Sequence, residues 1–522
     1  MRKSAIFLLF VAFCLTILGL SAQGGIAVPP QTARPKTEAE GKQKPEDSKQ
    51  RPVAKSKVYL LHSDLLRKDA THPDAQIVTG NVRFRHDSVY MYCDSACYYD
   101  KVSSFEAFGN VKMVQGDTLF LYGDRLYYDG LTQIAEMRCN VRMENRTTTL
   151  LTDSLNYDRV YNLGYFFDGG TLMDEQNVLT SEWGEYSPQT KQSVFNYNVK
   201  LVNPQFTLTS DTLRYNTASK IADIVGPSDI WSDANHIYSE KGTYNTVTGK
   251  ADLYDRSVLT NQGKQLTGDT LFYDRNTGVG EVFSRMVMTD TINRNMLTGE
   301  YGYYNEQTDY AFATDSAVAI DYSQGDSLFL HADTLLMETF HQNTDSMFRE
   351  MRAFHKVRFY RTDVQGTADS LVFSTVDSCL TMYRDPIIWN KNQQLLGEVI
   401  KVYMNDSTID WSHIIGQALS VERVDSTIYN QVTGKEMKSY FTNGEMRKTE
   451  VIGSVRVVYY PMDSDSTLIG MNVSETSKLE IYLQDRKIER MVMSPKSNGV
   501  LYPMSQLSLI HISEPTRRRG IS

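Results

Sequence analysis

Gly268-Asp269-Thr270-Leu271-Phe272-Tyr273-Asp274-Arg275-Asn276-Thr277-Gly278 is a short alternating strand that runs into a turn, and close copies recur along the chain. Thr152-Asp153-Ser154-Leu155-Asn156-Tyr157-Asp158, Ser210-Asp211-Thr212-Leu213-Arg214-Tyr215-Asn216 and Gly123-Asp124-Arg125-Leu126-Tyr127-Tyr128-Asp129 are three of them. The acidic residue of each copy serves as a marker. The markers stand at Asp64, Asp94, Asp124, Asp153, Glu182, Asp211, Glu240, Asp269, Glu300, Asp333, Asp369, Glu398 and Asp425. From Asp64 to Asp269 they lie 29 or 30 residues apart. A fixed period of this size is the signature of a repeat architecture.

Each period reads as a hairpin. The acid opens the first strand, which closes in a turn such as Tyr215-Asn216-Thr217-Ala218-Ser219 or Tyr244-Asn245-Thr246-Val247-Thr248. An Asp or Asn after the aromatic can bond the backbone two residues on, and Thr or Gly closes the loop. A second strand with a Val-x-apolar centre follows: Val82/Phe84, Val111/Met113, Val141/Met143, Val199/Leu201 and Val357/Phe359. Around these pairs the apolar residues keep one parity, with Ala107 before Val111, Met137 and Cys139 before Val141, and Phe195 and Tyr197 before Val199. Charged residues such as Lys112, Arg142, Lys200 and Arg358 take the other parity. A period of two puts one set on a buried face and the other in water. The expected fold is therefore all-β: an elongated, twisted jellyroll or solenoid of tandem β-hairpins of about 29 residues, with a continuous apolar interior.

Working outward, residues 1–22 read as a signal peptide, with Arg2 and Lys3 before the apolar run Ala5–Leu20. Residues 23–56 are rich in Pro, Lys, Glu and Gln and read as a disordered linker. Regular repeats fill 57–320, degenerate repeats 321–460, and a further β region, expected to be truncated, 461–506. Residues 507–522 resemble translated sequencing-adapter sequence and are set aside as a non-native tail. The mature protein is expected to be exported.

A net charge of −9 speaks against nucleic acid, whose phosphates require clustered Lys and Arg. The histidines are scattered without metal-ligand spacing, and no nucleophile elbow, phosphate loop or metalloprotease motif occurs. No catalytic residue, cofactor or metal site is expected. Calcium would need six to eight oxygens, and each marker comes with Thr-Leu-x-Tyr instead of further carboxylates. The repeated tyrosines Tyr128, Tyr157, Tyr186, Tyr215, Tyr244, Tyr273 and Tyr304 are expected in the core, not in a sugar-stacking ladder. A Cys97–Cys139 or Cys93–Cys139 bridge between neighbouring repeats is conceivable in an oxidising compartment.

Thr79-Gly80-Asn81-Val82-Arg83-Phe84 and Phe108-Gly109-Asn110-Val111-Lys112-Met113, with Gly-Asp-x-Leu-x-Tyr-Asp at 123–129, carry a family likeness. The chain resembles the OstA-like family, which includes the periplasmic lipopolysaccharide-transport protein LptA and the N-terminal domain of the translocon LptD. The resemblance implies a non-enzymatic lipopolysaccharide carrier in the periplasm, associated with the outer membrane and bridging inner and outer membranes. Lipid A chains would lie in an apolar β groove, here at Val82, Phe84, Ala107, Val111, Met113, Met137, Val141, Met143, Phe195, Val199, Leu201, Val357 and Phe359. Implied partners are lipopolysaccharide, an inner-membrane exporter and the β-domains of an outer-membrane translocon, with head-to-tail self-association at open sheet edges. The competing reading is a cell-surface β-solenoid, structural or adhesive, with a filled core. Alternation alone does not separate the two.

Overall fold

Two strands of eleven or twelve residues make up a typical 29-residue period, as Leu119–Asp129 and Ile134–Asn145 do. The computed structural model describes residues 56–68, 73–232, 235–323, 326–342, 344–405, 409–443, 445–463, 467–484 and 487–509. The signal peptide, the linker up to residue 55 and the tail from residue 510 lie outside the described residues. Among the described residues there are 37 strands. Successive strands pair antiparallel, as the alternating sequence predicts. The short turns Asp100–Val102 and Met504–Leu509 are the described 3-10 segments. Among the described residues no helix is long and apolar enough to cross a membrane.

The acidic marker opens its strand in some copies, with Asp64, Glu182, Asp269 and Glu398 just before Leu65–Lys68, Trp183–Tyr186, Thr270–Asp274 and Val399–Met404, and lies within a longer strand in others. Asp94 lies in the middle of Val89–Tyr99, and Asp124 in the middle of Leu119–Asp129. There it faces a bulge on the neighbouring strand, where the register slips between Phe108 and Val111 and again between Arg138 and Val141. Both bulge residues take left-handed backbone, as in Gly109 (φ 75°) and Asn110 (φ 44°), or Cys139 (φ 64°) and Asn140 (φ 51°). The bulge asparagine then donates from Nδ2 to the marker: Asn81 to Asp64 at 3.0 Å, Asn110 to Asp94 at 2.7 Å and Asn140 to Asp124 at 2.6 Å. Asn198 and Glu182 repeat the contact. A Cβ on Gly80 would stand 2.2 Å from Asp64 Oδ2 at a φ of 82°, so both space and backbone demand glycine there. The Gly-Asn and Gly-Asp signatures are thus two halves of one corner that bends each long strand at its midpoint.

The bulge also corrects the parity reading. The alternation places Cys139 and Tyr197 on the inward set, yet Cys139 is exposed and Tyr197 is 64 % exposed. An extra residue at the corner keeps Met137 and Val141 inward while pushing what lies between them out.

Two compact units result, with described residues 56–259 in the first and 260–509 in the second. Within each, the two halves of every bent strand face one another. In the first unit the inward side chains meet across that space: the Phe84 and Phe105 rings stack at 4.1 Å, and Phe206 meets Tyr244 edge-on at 4.8 Å. Tyr128, Tyr157, Tyr186, Tyr215 and Tyr244 are all at most 2 % exposed, which makes them core residues. Burial holds the Tyr128 and Tyr157 phenols up at about 12. The four described cysteines are free. Strand Val89–Tyr99 is three strands away from Ile134–Asn145 in the pairing order. That is about 14 Å along the sheet, beyond disulfide reach.

Candidate functional site

Bending every strand brings its two ends close, so the hairpin turns form two rows that meet along a seam. In the first unit polar contacts close this seam. His86, at the end of one strand, is fully buried, and its Nδ1 lies 2.6 Å from the Tyr128 hydroxyl. Arg159 donates to the same hydroxyl at 2.6 Å, and its Nη2 stands 4.0 Å from Asp87. Burial, followed by the Arg159 charge, holds the His86 pKa below its ordinary value, with Asp87 opposing. Further along, Gln115 donates to Asn162 at 2.9 Å, and Asn145 donates to the Pro188 carbonyl at 3.1 Å. Then Asp174, fully buried, accepts from the Tyr215 hydroxyl at 2.7 Å and from Lys220 at 2.8 Å. Burial lowers the Lys220 pKa, but the hydrogen bonds and charges of Asp174 and Glu175 outweigh it and leave the ammonium above its ordinary value. Asn177 reaches Thr246 at 3.0 Å.

Behind this seam the interior of the first unit is packed. The eleven groove candidates in this unit (Val82, Phe84, Ala107, Val111, Met113, Met137, Val141, Met143, Phe195, Val199 and Leu201) point inward and are each at most 2 % exposed. Val357 is equally buried in the second unit, whereas Phe359 is only partly so. The structure therefore brings the candidates together as one inward surface within the first unit, with neighbouring side chains filling the space over it.

The second unit differs. Between its turn rows lies a cavity of 460 Å³, bounded on one side by Asp290, Asn293, Asn295 and Asp321 and on the other by Tyr304, Asp309, Arg349 and Thr375. Its inner walls are apolar and include Met288, Leu297, Leu330, Leu335, Met337 and Met351. The cause is visible in strand Tyr310–Asp321, whose inward positions are Ala311, Ala313, Ala317 and Ala319. The equivalent strand of the first unit, Gln192–Asn203, puts Ser193, Phe195, Val199 and Leu201 there. Ala313 and Ala317 are fully buried, but Ala311 and Ala319, toward the two ends of the strand, line the cavity, where they offer the facing half-sheet little to pack against. If closed and empty, such a volume would cost roughly 11 kcal/mol. Its mouth is open, so the space is accessible to water or to an apolar guest.

Charge gathers at that mouth. Asp309 accepts from Arg349 Nη2 at 2.9 Å and from Thr339 Oγ1 at 2.8 Å. Lys264 Nζ stands 3.9 Å from Asp309 and 5.3 Å from the centre of the Tyr304 ring. Sequence reading did not single out this region. The signal in the sequence is small: alanine at alternate positions in place of large apolar residues. Among the described residues no cluster of three or more His, Cys, Asp or Glu could hold a metal ion.

A family model described as OstA-like protein matches residues 55–211, 207–269 and 230–322, just over half of the chain in all. No curated protein matches the chain.

Proposed function

The chain belongs to the OstA-like family, a family of transport and binding proteins related to lipopolysaccharide transport and typically periplasmic in Gram-negative bacteria, and from that membership we propose that it shields acyl chains of lipopolysaccharide inside its β-roll during outer-membrane assembly. The observation that carries this reading is the apolar cavity between residues 261 and 375. Each CH₂ moved from water into such a lining gains about 0.8 kcal/mol, so a chain of about twelve carbons gains roughly 10 kcal/mol. That is enough to hold a lipid in an aqueous compartment. The Val-x-apolar positions of the first unit, Val82 to Leu201, offer a second apolar interior that would admit an acyl chain only when their seam parts. No chemistry is asked of the protein beyond binding.

The bridging role follows from the same reading. An inner-membrane exporter would deliver the lipid and the β-domains of an outer-membrane translocon would receive it, by strand addition at an unpaired edge. The edge strand Tyr59–His62 offers Tyr59 and Leu61 about half exposed, and the last strand, Lys487–Pro503, offers Val500 and Leu501 likewise. A second copy could join head to tail in the same way. The filled-core structural reading keeps one observation in its favour, the dense packing of the first unit.

Photocrosslinking separates the two readings. A photoreactive residue at Met337 or Met351 should give lipopolysaccharide adducts in cells. The same residue at Met113 or Met143 should give at least several-fold fewer. Absence of adducts at all four positions would leave the filled-core protein standing.

A further inference from the structure

We propose that the four methionines bordering the cavity of the second unit, Met288, Met296, Met337 and Met351, are an oxidation site for hydrogen peroxide, and that their sulfoxides close the cavity to an acyl guest. The closure rests on reading this cavity as an acyl site, and the oxidation does not.

Methionines are placed differently in the two units. The inward methionines of the first unit, Met91, Met113, Met137 and Met143, are each at most 1 % exposed, behind a closed seam. In the second unit Met288, Met337 and Met351 are partly exposed, because the space beside them opens to solvent. Met337 and Met351 stand directly opposite each other on neighbouring strands, and Met288 lies on another. A volume of 460 Å³ far exceeds what a single water needs, so a molecule as small as hydrogen peroxide enters. Other methionines of the same unit do not share this access. Met286, on the same strand as Met288, is 2 % exposed, and Met382 is fully buried.

The step needs only the oxidant and the thioether. A sulfur lone pair attacks one oxygen of the peroxide, and the O–O bond breaks. The departing hydroxide takes the proton of the oxygen now on sulfur and leaves as water. Sulfur gives up two electrons and the peroxide is reduced. The product is a polar acceptor where a pliable apolar group stood. An alkyl chain has no donor to offer it, so a guest would strip the sulfoxides of water and give nothing back.

The test uses the full-length protein carrying Cys97→Ser and Cys139→Ser, treated with hydrogen peroxide and followed by peptide mass spectrometry. Met288, Met337 and Met351 should oxidise at least about tenfold faster than Met113, Met143, Met286 and Met382. Their rates should approach those of the exposed Met347 and Met462. Rates as slow as those of Met113 and Met143 would overturn the proposal. Binding of dodecyl maltoside, an uncharged probe kept below its micelle concentration, is measured before and after treatment. Its affinity should fall at least about tenfold, and methionine sulfoxide reductases should restore it. Met288→Leu, Met296→Leu, Met337→Leu and Met351→Leu together keep an apolar lining of similar volume. That protein should bind the probe equally before and after peroxide, whereas Met347→Leu with Met462→Leu should give no protection. Loss of affinity in the four-leucine protein, or a matching fall in thermal unfolding of the wild type, would overturn the closure. If the untreated protein does not bind the probe, the acyl reading and the closure fall together, while the mass spectra still decide the oxidation site.

Discussion

Strands Gln192–Asn203 and Tyr310–Asp321 occupy the same place in the repeat and bulge at the same point, Tyr197-Asn198 in one and Asp315-Ser316 in the other. One directs Phe195, Val199 and Leu201 inward, and the other directs Ala311, Ala313, Ala317 and Ala319. The first lies in a packed interior behind a hydrogen-bonded seam, and the second lines a cavity. A repeat fold can therefore keep its backbone constant and vary its contents. The corner of Gly or Asn against Asp or Glu fixes the bend, and the size of the inward side chains decides whether the bend encloses protein or guest.

That contrast can be broken most forcefully at the first unit's seam. Asp174→Ala would leave the Lys220 ammonium, 15 % exposed, and the buried Tyr215 hydroxyl without their shared acceptor. Losing one member of a buried ion pair costs about 3–5 kcal/mol. The urea midpoint of the first unit should fall accordingly. A loss below about 1 kcal/mol would mean that the seam is not what keeps this interior shut. Alkylation of Cys93, buried in the first unit, provides the readout in a background lacking Cys97 and Cys139.

Truncations of the walls sharpen the contrast next. Leu201→Ala, at a site 0 % exposed, should cost about 2–5 kcal/mol because the space it leaves is enclosed. Leu297→Ala, on the wall of the open cavity, should cost under about 2 kcal/mol, because only transfer energy is lost. Equal losses in chemical denaturation would show that both interiors are packed alike.

The smallest effect is a pH dependence. The His86 pKa is lowered from 6.5 in the folded chain, by burial first and Arg159 second. Below about 6.5 the unfolded chain therefore binds a proton that the folded chain refuses. Stability then falls with pH, by at most about 1.4 kcal/mol per unit, until the folded pKa is reached. Denaturant titrations of the wild type and of His86→Gln at pH 7.5 and 5.5 should differ in this slope. Cys93 alkylation should respond to it and Cys379 alkylation should not. Identical slopes would remove His86 from the seam.

Much of this was legible in the residues, for identifiable reasons. The recurring Asp-x-Leu-x-Tyr and the alternation through Val111 and Met113 give the β-hairpin repeat and the inward face, because a strand's side chains alternate whatever surrounds it. The tyrosines after the marker fall in the core on the same ground from Tyr128 to Tyr273, whereas Tyr304 is only partly buried because it borders the cavity. The marker acid precedes its strand in copies such as Asp269 and Glu398 and sits inside it in others such as Asp94, but its partner is not legible in the sequence. A carboxylate before a strand-like run looks like punctuation until the neighbouring chain is seen to bring Asn110 or Asn140 against it. Cys139 and Tyr197 were misplaced because a bulge inserts a residue without leaving a fixed sequence mark. The Lys264, Asn295 and Asp309 mouth was not anticipated at all. Its members are 45 residues apart from first to last and meet only because two turn rows do.

By itself, then, the sequence determined a repeat of antiparallel strands with one apolar side, since local alternation and period need no tertiary information. What the tertiary structure alone decided is whether that apolar side is covered by protein or left for a ligand. This depends on how closely the two halves of each bent strand approach. That distance is set by side chains such as Leu201 or Ala319, together with seam partners such as Asp174 and Lys220, which lie far apart along the chain.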